Sequence, residues 1–323
     1  MRSLITSMGE VLIDFLPIVE DGKTTGFRMV PGGSPFNTAL GIARLGQPSA
    51  FACNIANDFF GRFLRSHIES EQIDTRFVRE VEAQTTLAFV AMEGNEPAYA
   101  FYGDAAADTL MTREQLPEAL FEETAMFHCG SISLLRGSTP DAVVSAVERL
   151  KGRALISFDP NLRPNLVKDE AAYRKLLAHM FSQADIVKIS AADLEWLTPG
   201  RAIEEVAREL LVQGPALVVV TRGGEGSLAL LVRPDGSTLE ARHPIFPVKL
   251  VDTVGAGDSF SSGLLAGLAE RGIYTRAALQ ALDSKQLEEL LRFAAAVSGI
   301  TCSREGANPP TRAEVESFLA GVS

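Results

Sequence analysis

The chain has 323 residues, 46% hydrophobic and 22% charged, an ordinary globular balance that excludes intrinsic disorder. Its 41 acidic residues against 30 Lys and Arg give a formal charge of −11 with no basic block, which excludes nucleic acid as the expected partner. The longest apolar run, Leu87 to Met92, is far shorter than the roughly 20 residues of a membrane-spanning helix, so a membrane partner is not expected either.

Leu4 to Met8 predicts an opening strand. Glu10 to Val30 then alternates like strand without an intervening helix. In Pro31-Gly32-Gly33-Ser34-Pro35-Phe36-Asn37, the glycine pair precedes Ser34 as the expected N-cap and Pro35 at the first helical position, with Gly46 closing the helix. Ala50 to Asn54 is a second strand. Thr85 to Tyr102 alternates again, through Leu87, Phe89 and Ala91, then Tyr99 and Phe101. Strands are expected at Met126 to Cys129, Leu155 to Phe158, Ile186 to Ile189 and Leu217 to Thr221. Helical periodicity runs through Thr139 to Leu150, Glu170 to Phe181, Ala202 to Val212, Ser259 to Glu270 and Gln286 to Thr301.

This alternation predicts an α/β fold whose mostly parallel central sheet is covered by helices on both faces, a three-layer sandwich. The two segments without helices, about 10–30 and 85–103, read as a small antiparallel sheet, either a lid or an edge extension of the main sheet. Although length alone allows two domains, no linker, repeat or low-complexity tract interrupts the chain, so residues 1–323 are expected to form one domain. Glu10 and Asp14 break the N-terminal apolar stretch, which therefore does not read as a secretory signal. Three widely spaced cysteines, Cys53, Cys129 and Cys302, fit a reduced, cytoplasmic compartment.

The most informative chemistry lies in Asp252-Thr253-Val254-Gly255-Ala256-Gly257-Asp258. Two glycines around one small residue let main-chain N–H groups converge ahead of a helix whose first donors lack partners, which makes an anion pocket. At its edge, Asp258 is expected to be favoured in the ionised form by the helix end. There it suits proton removal from a hydroxyl while the amides neutralise a phosphoryl group in transfer. The alternative is a helix cap. Walker A, dinucleotide-binding and protein-kinase signatures are all missing, and the four histidines have no ligand spacing.

Other segments carry alternatives as well. Gly32, Gly33 and Asn37 suit a polyol ligand or a tightly packed helix entry. Asp14, alone in the apolar run Val11 to Phe15, either faces solvent or binds something polar. Arg163, in Asp159-Pro160-Asn161-Leu162-Arg163, follows a strand at the edge where open parallel sheets hold ligands, and is a substrate contact or a solvated loop residue. Thr221-Arg222-Gly223-Gly224-Glu225-Gly226 reads as a glycine turn between two strands.

Together these segments closely resemble the ribokinase-like (PfkB-type) carbohydrate kinases over nearly the whole chain, and Gly9-Glu10-Val11-Leu12-Ile13-Asp14-Phe15, Gly130-Ser131-Ile132-Ser133, Asp159 to Arg163 and Ala184 to Ser190 look most like the fructokinase branch. The resemblance implies an ATP-dependent kinase that phosphorylates D-fructose, at O6. Asp258 would be general base, and the backbone of Gly255, Ala256 and Gly257 the anion hole. Asp14, Gly32, Gly33, Asn37 and Arg163 would hold the sugar, with Phe101 a lid contact. Lys188, Ser190, Thr221, Gly223, Gly226 and Asn308 would serve the nucleotide. Asp252 would mark a site for a monovalent cation, generally potassium. The family's Asn-x-x-Glu motif for Mg²⁺ is Ser190-Ala191-Ala192-Asp193 here, which shortens the carboxylate arm and leaves Asp193 to reach Mg²⁺ through water. Alternatives are a kinase for another sugar or sugar acid, such as ribose or 2-keto-3-deoxygluconate, and a sugar-binding protein without turnover. By the same resemblance a homodimer would form through the lid.

Overall fold

The computed structural model describes residues 2–93 and 96–322. The chain begins with β1 (Leu4–Met8), β2 (Leu12–Glu20), β3 (Lys23–Gly32), α1 (Ser34–Arg44), β4 (Ser49–Ala56), α2 (Phe59–Ser70), β5 (Val78–Val81), β6 (Leu87–Glu93) and β7 (Glu96–Tyr102). It continues with α3 (Glu118–Glu123), β8 (Thr124–Gly130), α4 (Thr139–Leu150), β9 (Leu155–Asp159), α5 (Glu170–Gln183), β10 (Ile186–Ser190), α6 (Ala191–Leu197), α7 (Ile203–Gln213) and β11 (Leu217–Thr221). It ends with β12 (Ser227–Val232), β13 (Thr238–His243), α8 (Ala256–Glu270), α9 (Arg276–Gln280), α10 (Ser284–Cys302) and α11 (Arg312–Gly321).

The main sheet has the order β13-β12-β11-β10-β9-β8-β1-β4-β5. All pairs from β11 to β5 are parallel, and the hairpin β12-β13 adds two antiparallel strands at one edge. Both sheet faces are buried. In β11, Val218 and Val220 join the core formed with α2, α4, α5 and α7, whereas Leu217 and Val219 join the core formed with α8 and α10. The strict alternation of side chains across a strand produces these two cores from one apolar run. All six expected main-sheet strands are present, and short elements such as α2, α6, α9 and α11 add to the expected helices.

A second sheet, in the order β3-β2-β6-β7, stands apart from the main sheet and not as its edge. It corrects one expectation. Each hairpin is antiparallel, but β2 and β6 pair in parallel, so the small sheet is mixed. The two hairpins lie side by side with their turns at the same end, so their first strands run in parallel. Residues 94 and 95 of the expected segment, and the side chains of Ala91 and Tyr99, lie outside the described residues.

Helices α1 and α8 set up the site. A methyl group at Gly41 would lie 2.2 Å from Ser262 Oγ, so the two helices touch almost backbone to backbone. Their N-terminal turns thereby meet beneath the small sheet.

Candidate active site

A cavity of about 810 Å³ opens between the small sheet and these two helix starts. Its walls include Asp14, Gly33, Asn37, Phe101, Arg163, Asp252, Gly255, Gly257 and Asp258. The fold thus brings together most of the expected sugar and anion-hole positions from five separate parts of the chain. Gly32 sits just behind, against the Asp14 carboxylate.

Asp258 lies deeper than expected. Helix α8 starts at Ala256, capped by Gly255, which places Asp258 in the first turn and leaves it only 6% exposed. Its Oδ1 accepts from Ser34 Oγ at 2.6 Å and its Oδ2 from Asn37 Nδ2 at 2.9 Å. Burial raises its pKa above the ordinary aspartate value, reversing the expected effect of the helix end. The Ser34 and Asn37 bonds pull the other way, Asp159 adds to the rise, and Lys188 opposes it.

Ser34 is a second correction. The N-cap of α1 is Gly33, at φ 114°, where a methyl group would meet Glu10 O at 2.5 Å. Only glycine satisfies that backbone and that closeness together. Ser34 therefore becomes the first helical residue with Pro35 second, and its hydroxyl turns to Asp258 instead of capping the helix.

At the N-terminus of α8 one of the expected anion-hole donors is spent. The Ala256 amide donates to Thr253 O, so it is taken up by the turn itself. Gly257 and Asp258 have no carbonyl four residues back within the helix, and the Gly257 Cα faces the Lys188 ammonium: a methyl there would be 2.7 Å from Lys188 Nζ.

Lys188, on β10, is buried and pairs with Asp159 Oδ2 at 2.9 Å. Burial would lower the lysine pKa, but Asp159, with Asp258 and Asp193 behind it, outweighs this and holds it above the ordinary value. Ser190 and Asp193 form a capping box at the start of α6, and Asp193 Oδ1 also accepts from Leu162 N–H at 3.0 Å. Neither of them, nor Lys188, lines the cavity. Asp252 accepts from the amides of Val254 and Gly306, at 3.0 and 2.8 Å, tying the α8 entry loop to the loop before α11.

Thr221, Gly223 and Gly226 form the β11–β12 turn farther along the same strand-end edge, outside the cavity. Asn308 is exposed, and its Oδ1 accepts from Arg44 Nη1 at 2.6 Å, which leaves its amide donors. Arg163 reaches the cavity wall while its Nη1 binds Asn161 and Leu162 oxygens of its own loop.

Asp14 resolves in favour of the cavity. Burial pushes its pKa up to about 7, the Asp258 charge adds to the rise and Arg163 opposes it. Glu10, unassigned in the sequence, lies on the same wall and is also pushed up to about 7, by burial against the Ser133 bond. It accepts from the amides of Ser34 and Ser133, both at 3.2 Å, and from the Ser133 hydroxyl. The argument that singled out Asp14, a lone acid in an apolar run, applies equally to Glu10. Asp159 was within reach too, one strand end away from Arg163.

The raised Asp14 pKa carries a sign. Between its ordinary value of 3.8 and about 7 the folded state binds more protons than the unfolded one, so Asp14 makes stability fall as pH rises through that window. Asp14→Asn is expected to melt above the wild type at pH 8, with the difference fading toward pH 4. Thermal melts across pH check this; a melting gain independent of pH would refute the linkage.

A pfkB family carbohydrate kinase profile matches residues 2–314. Fructokinase-1 of Zea mays is 37% identical over 327 residues, covering 98% of this chain and 98% of that protein. Among solved structures, fructokinase with bound ATP from Xylella fastidiosa superposes with a TM-score of 0.91 at 30% identity, over 100% of this chain and 99% of that one. A double mutant of fructokinase from Vibrio cholerae O395, with fructose, ADP and potassium ion bound, gives a TM-score of 0.85 at 28% identity, over 98% of each chain. The ribokinase-like fold, with its separate small sheet over the strand ends, follows from these matches, and the chain belongs to the pfkB family of carbohydrate kinases, the sugar phosphotransferases.

Proposed function

We propose that the protein is an ATP-dependent fructokinase that makes fructose 6-phosphate, with Asp258 as its general base. One observation carries this reading: a buried carboxylate faces a cavity with room for a sugar and a phosphate chain, beside helix-start amides without intrahelical partners, with Asp14 and Arg163 also on its wall. The names of the relatives support the substrate and the donor. Asp14, Gly32, Gly33, Asn37 and Arg163 hold the sugar hydroxyls, and Phe101 covers the ring from the small sheet. The triphosphate lies along the α8 N-terminus near Lys188, and the nucleoside runs toward Ser190, Thr221, Gly223, Gly226 and the Asn308 amide.

Asp258 takes the proton of the C6 hydroxyl as its oxygen bonds to the γ-phosphorus. The bond from that phosphorus to the β–γ bridging oxygen breaks, and ADP leaves with the electron pair. The amides of Gly255, Gly257 and Asp258 and the Lys188 charge stabilise the equatorial oxygens. Closure of the small sheet excludes water as a competing acceptor.

The residues fit a magnesium ion that arrives with the nucleotide. Asp159 Oδ1 is buried without a partner, and Asp193 lies close enough to feel the Asp159 charge. Among the described residues no cluster of three or more His, Cys, Asp or Glu could hold a metal alone. Asp159 and Asp193 would hold the ion, Asp193 through water, and it would supply neutralisation of phosphate charge. Potassium would reinforce the loop that Asp252 already ties to Gly306.

The small sheet leaves Val19, Phe27 and Tyr102 exposed, apolar surface suited to a homodimer through the lid, whereas exposed Ile18 lines the cavity. The chain's three free cysteines fit a reduced, cytoplasmic setting.

A coupled ADP-release assay over fructose, ribose, 2-keto-3-deoxygluconate and other sugars tests the reading. Fructose is expected to give the highest kcat/KM. Higher kcat/KM with another acceptor would replace the substrate, and sugar binding without ADP release would replace the activity.

A further inference from the structure

The Ser34 hydroxyl has no role in the helix it begins. Gly33 caps α1, and the Ser34 amide is already taken by Glu10 Oε1 at 3.2 Å. The hydroxyl instead reaches a carboxylate 224 residues away, at 2.6 Å. That carboxylate is enclosed, and the charges facing it are unbalanced. Asp159 on β9 and Asp14 on β2 are negative, Lys188 on β10 is positive but already paired with Asp159, and Arg163 stands beyond Asp14. Apart from Lys188, the donors from Ser34 and Asn37 are what oppose protonation of Asp258 there. Each carboxylate oxygen still keeps a second lone-pair direction for an acceptor hydroxyl.

We propose that Ser34 is a positioning residue for the phosphoryl transfer: its hydroxyl bond to Oδ1 keeps the Asp258 carboxylate ionised and aimed at the acceptor. The inference rests on Asp258 as the base. Glu10 acts one step behind, because its carboxylate anchors the Ser34 backbone and fixes where the hydroxyl begins. Alanine or glycine at this position keeps that backbone bond and removes only the donor to Asp258.

The test compares the pH profiles of kcat for the wild type, S34A, S34G and S34T, at saturating fructose and ATP so that Asp14 is already engaged by sugar. Loss of a hydrogen bond to a charged group is expected to move the acid limb up by about one pH unit or more in S34A and S34G. Turnover below the limb then falls about tenfold further. The gap to the wild type narrows above pH 8, where Asp258 is ionised in every variant and only its aim is lost, and S34T, which keeps the hydroxyl, moves the limb back. Folded S34A and S34G with the wild-type acid limb would overturn the proposal, even if both melted earlier, since a merely structural role lowers stability without moving the limb. D258A separates the two readings: if it keeps near-normal turnover, the base assignment itself fails, whereas an inactive D258A with an unmoved S34A limb rejects Ser34 alone.

Discussion

Asp258→Ala is expected to lower kcat by about 10²–10⁴-fold or more while the calorimetric Kd for fructose changes little. Two features make the effect large. The carboxylate sits in the first turn of α8, within reach of both the cavity and the helix-start amides, so no neighbouring group can take over its geometry. Water is a poor substitute as well, because the site is enclosed and Asp258 is only 6% exposed. Asp258→Ala also strands the Ser34 and Asn37 donors, so thermal melts at the assay pH separate loss of the reaction from loss of the fold. Asp258→Asn, which keeps the shape, should lose turnover to a similar extent. Near-normal turnover in either variant would remove Asp258 from the mechanism.

The largest expected effect on stability is at Lys188. Lys188→Met deletes the cation 2.9 Å from Asp159, and both side chains are almost fully buried, at 6% and 2% exposure. An uncompensated buried carboxylate typically costs about 3–5 kcal/mol, far more than the roughly 0–1 kcal/mol of an exposed ion pair such as Arg28–Glu305. Asp159 Oδ1 already lacks a partner, so it would have nothing to fall back on. Chemical denaturation should therefore show a large drop for Lys188→Met and recovery of most of it in Lys188→Met/Asp159→Asn, where the stranded charge is gone. Both variants are expected to lose turnover, because Lys188 also faces the anion pocket at Gly257. A single variant within about 1 kcal/mol of wild type would show that water reaches Asp159 freely.

Sequence reading was strongest where one segment carried the whole signal. The buried strands and the glycine turn after Thr221 follow from short-range patterns and are present, whereas Gly255-Ala256-Gly257 caps and begins α8, where the pattern reads as a loop ahead of it. The two strand-like segments were legible as a separate unit, but their mutual direction was not. The β2–β6 pairing joins residues more than 70 apart and is visible in neither segment alone. Ser34 shows the same limit from the other side. Its composition and place argue for a cap, and locally that argument is sound, yet Gly33 supplies the required backbone and frees the hydroxyl.

The chemistry divides along the same line. From the amino-acid order alone come the α/β class, the carbohydrate-kinase family, and the positions of the acid, the anion loop and the glycine pair, because helix starts, turns and alternating strands are encoded within a few neighbouring residues. Folding decided which side chains share a charge. Gly41 against Ser262 brings two helix starts together, Ser34 and Asn37 then close on Asp258, and Lys188 is committed to Asp159. Those partnerships exist only once residues 29 to 224 positions apart are packed in a space without water, where a hydrogen bond or a counter-ion sets the state of a carboxylate.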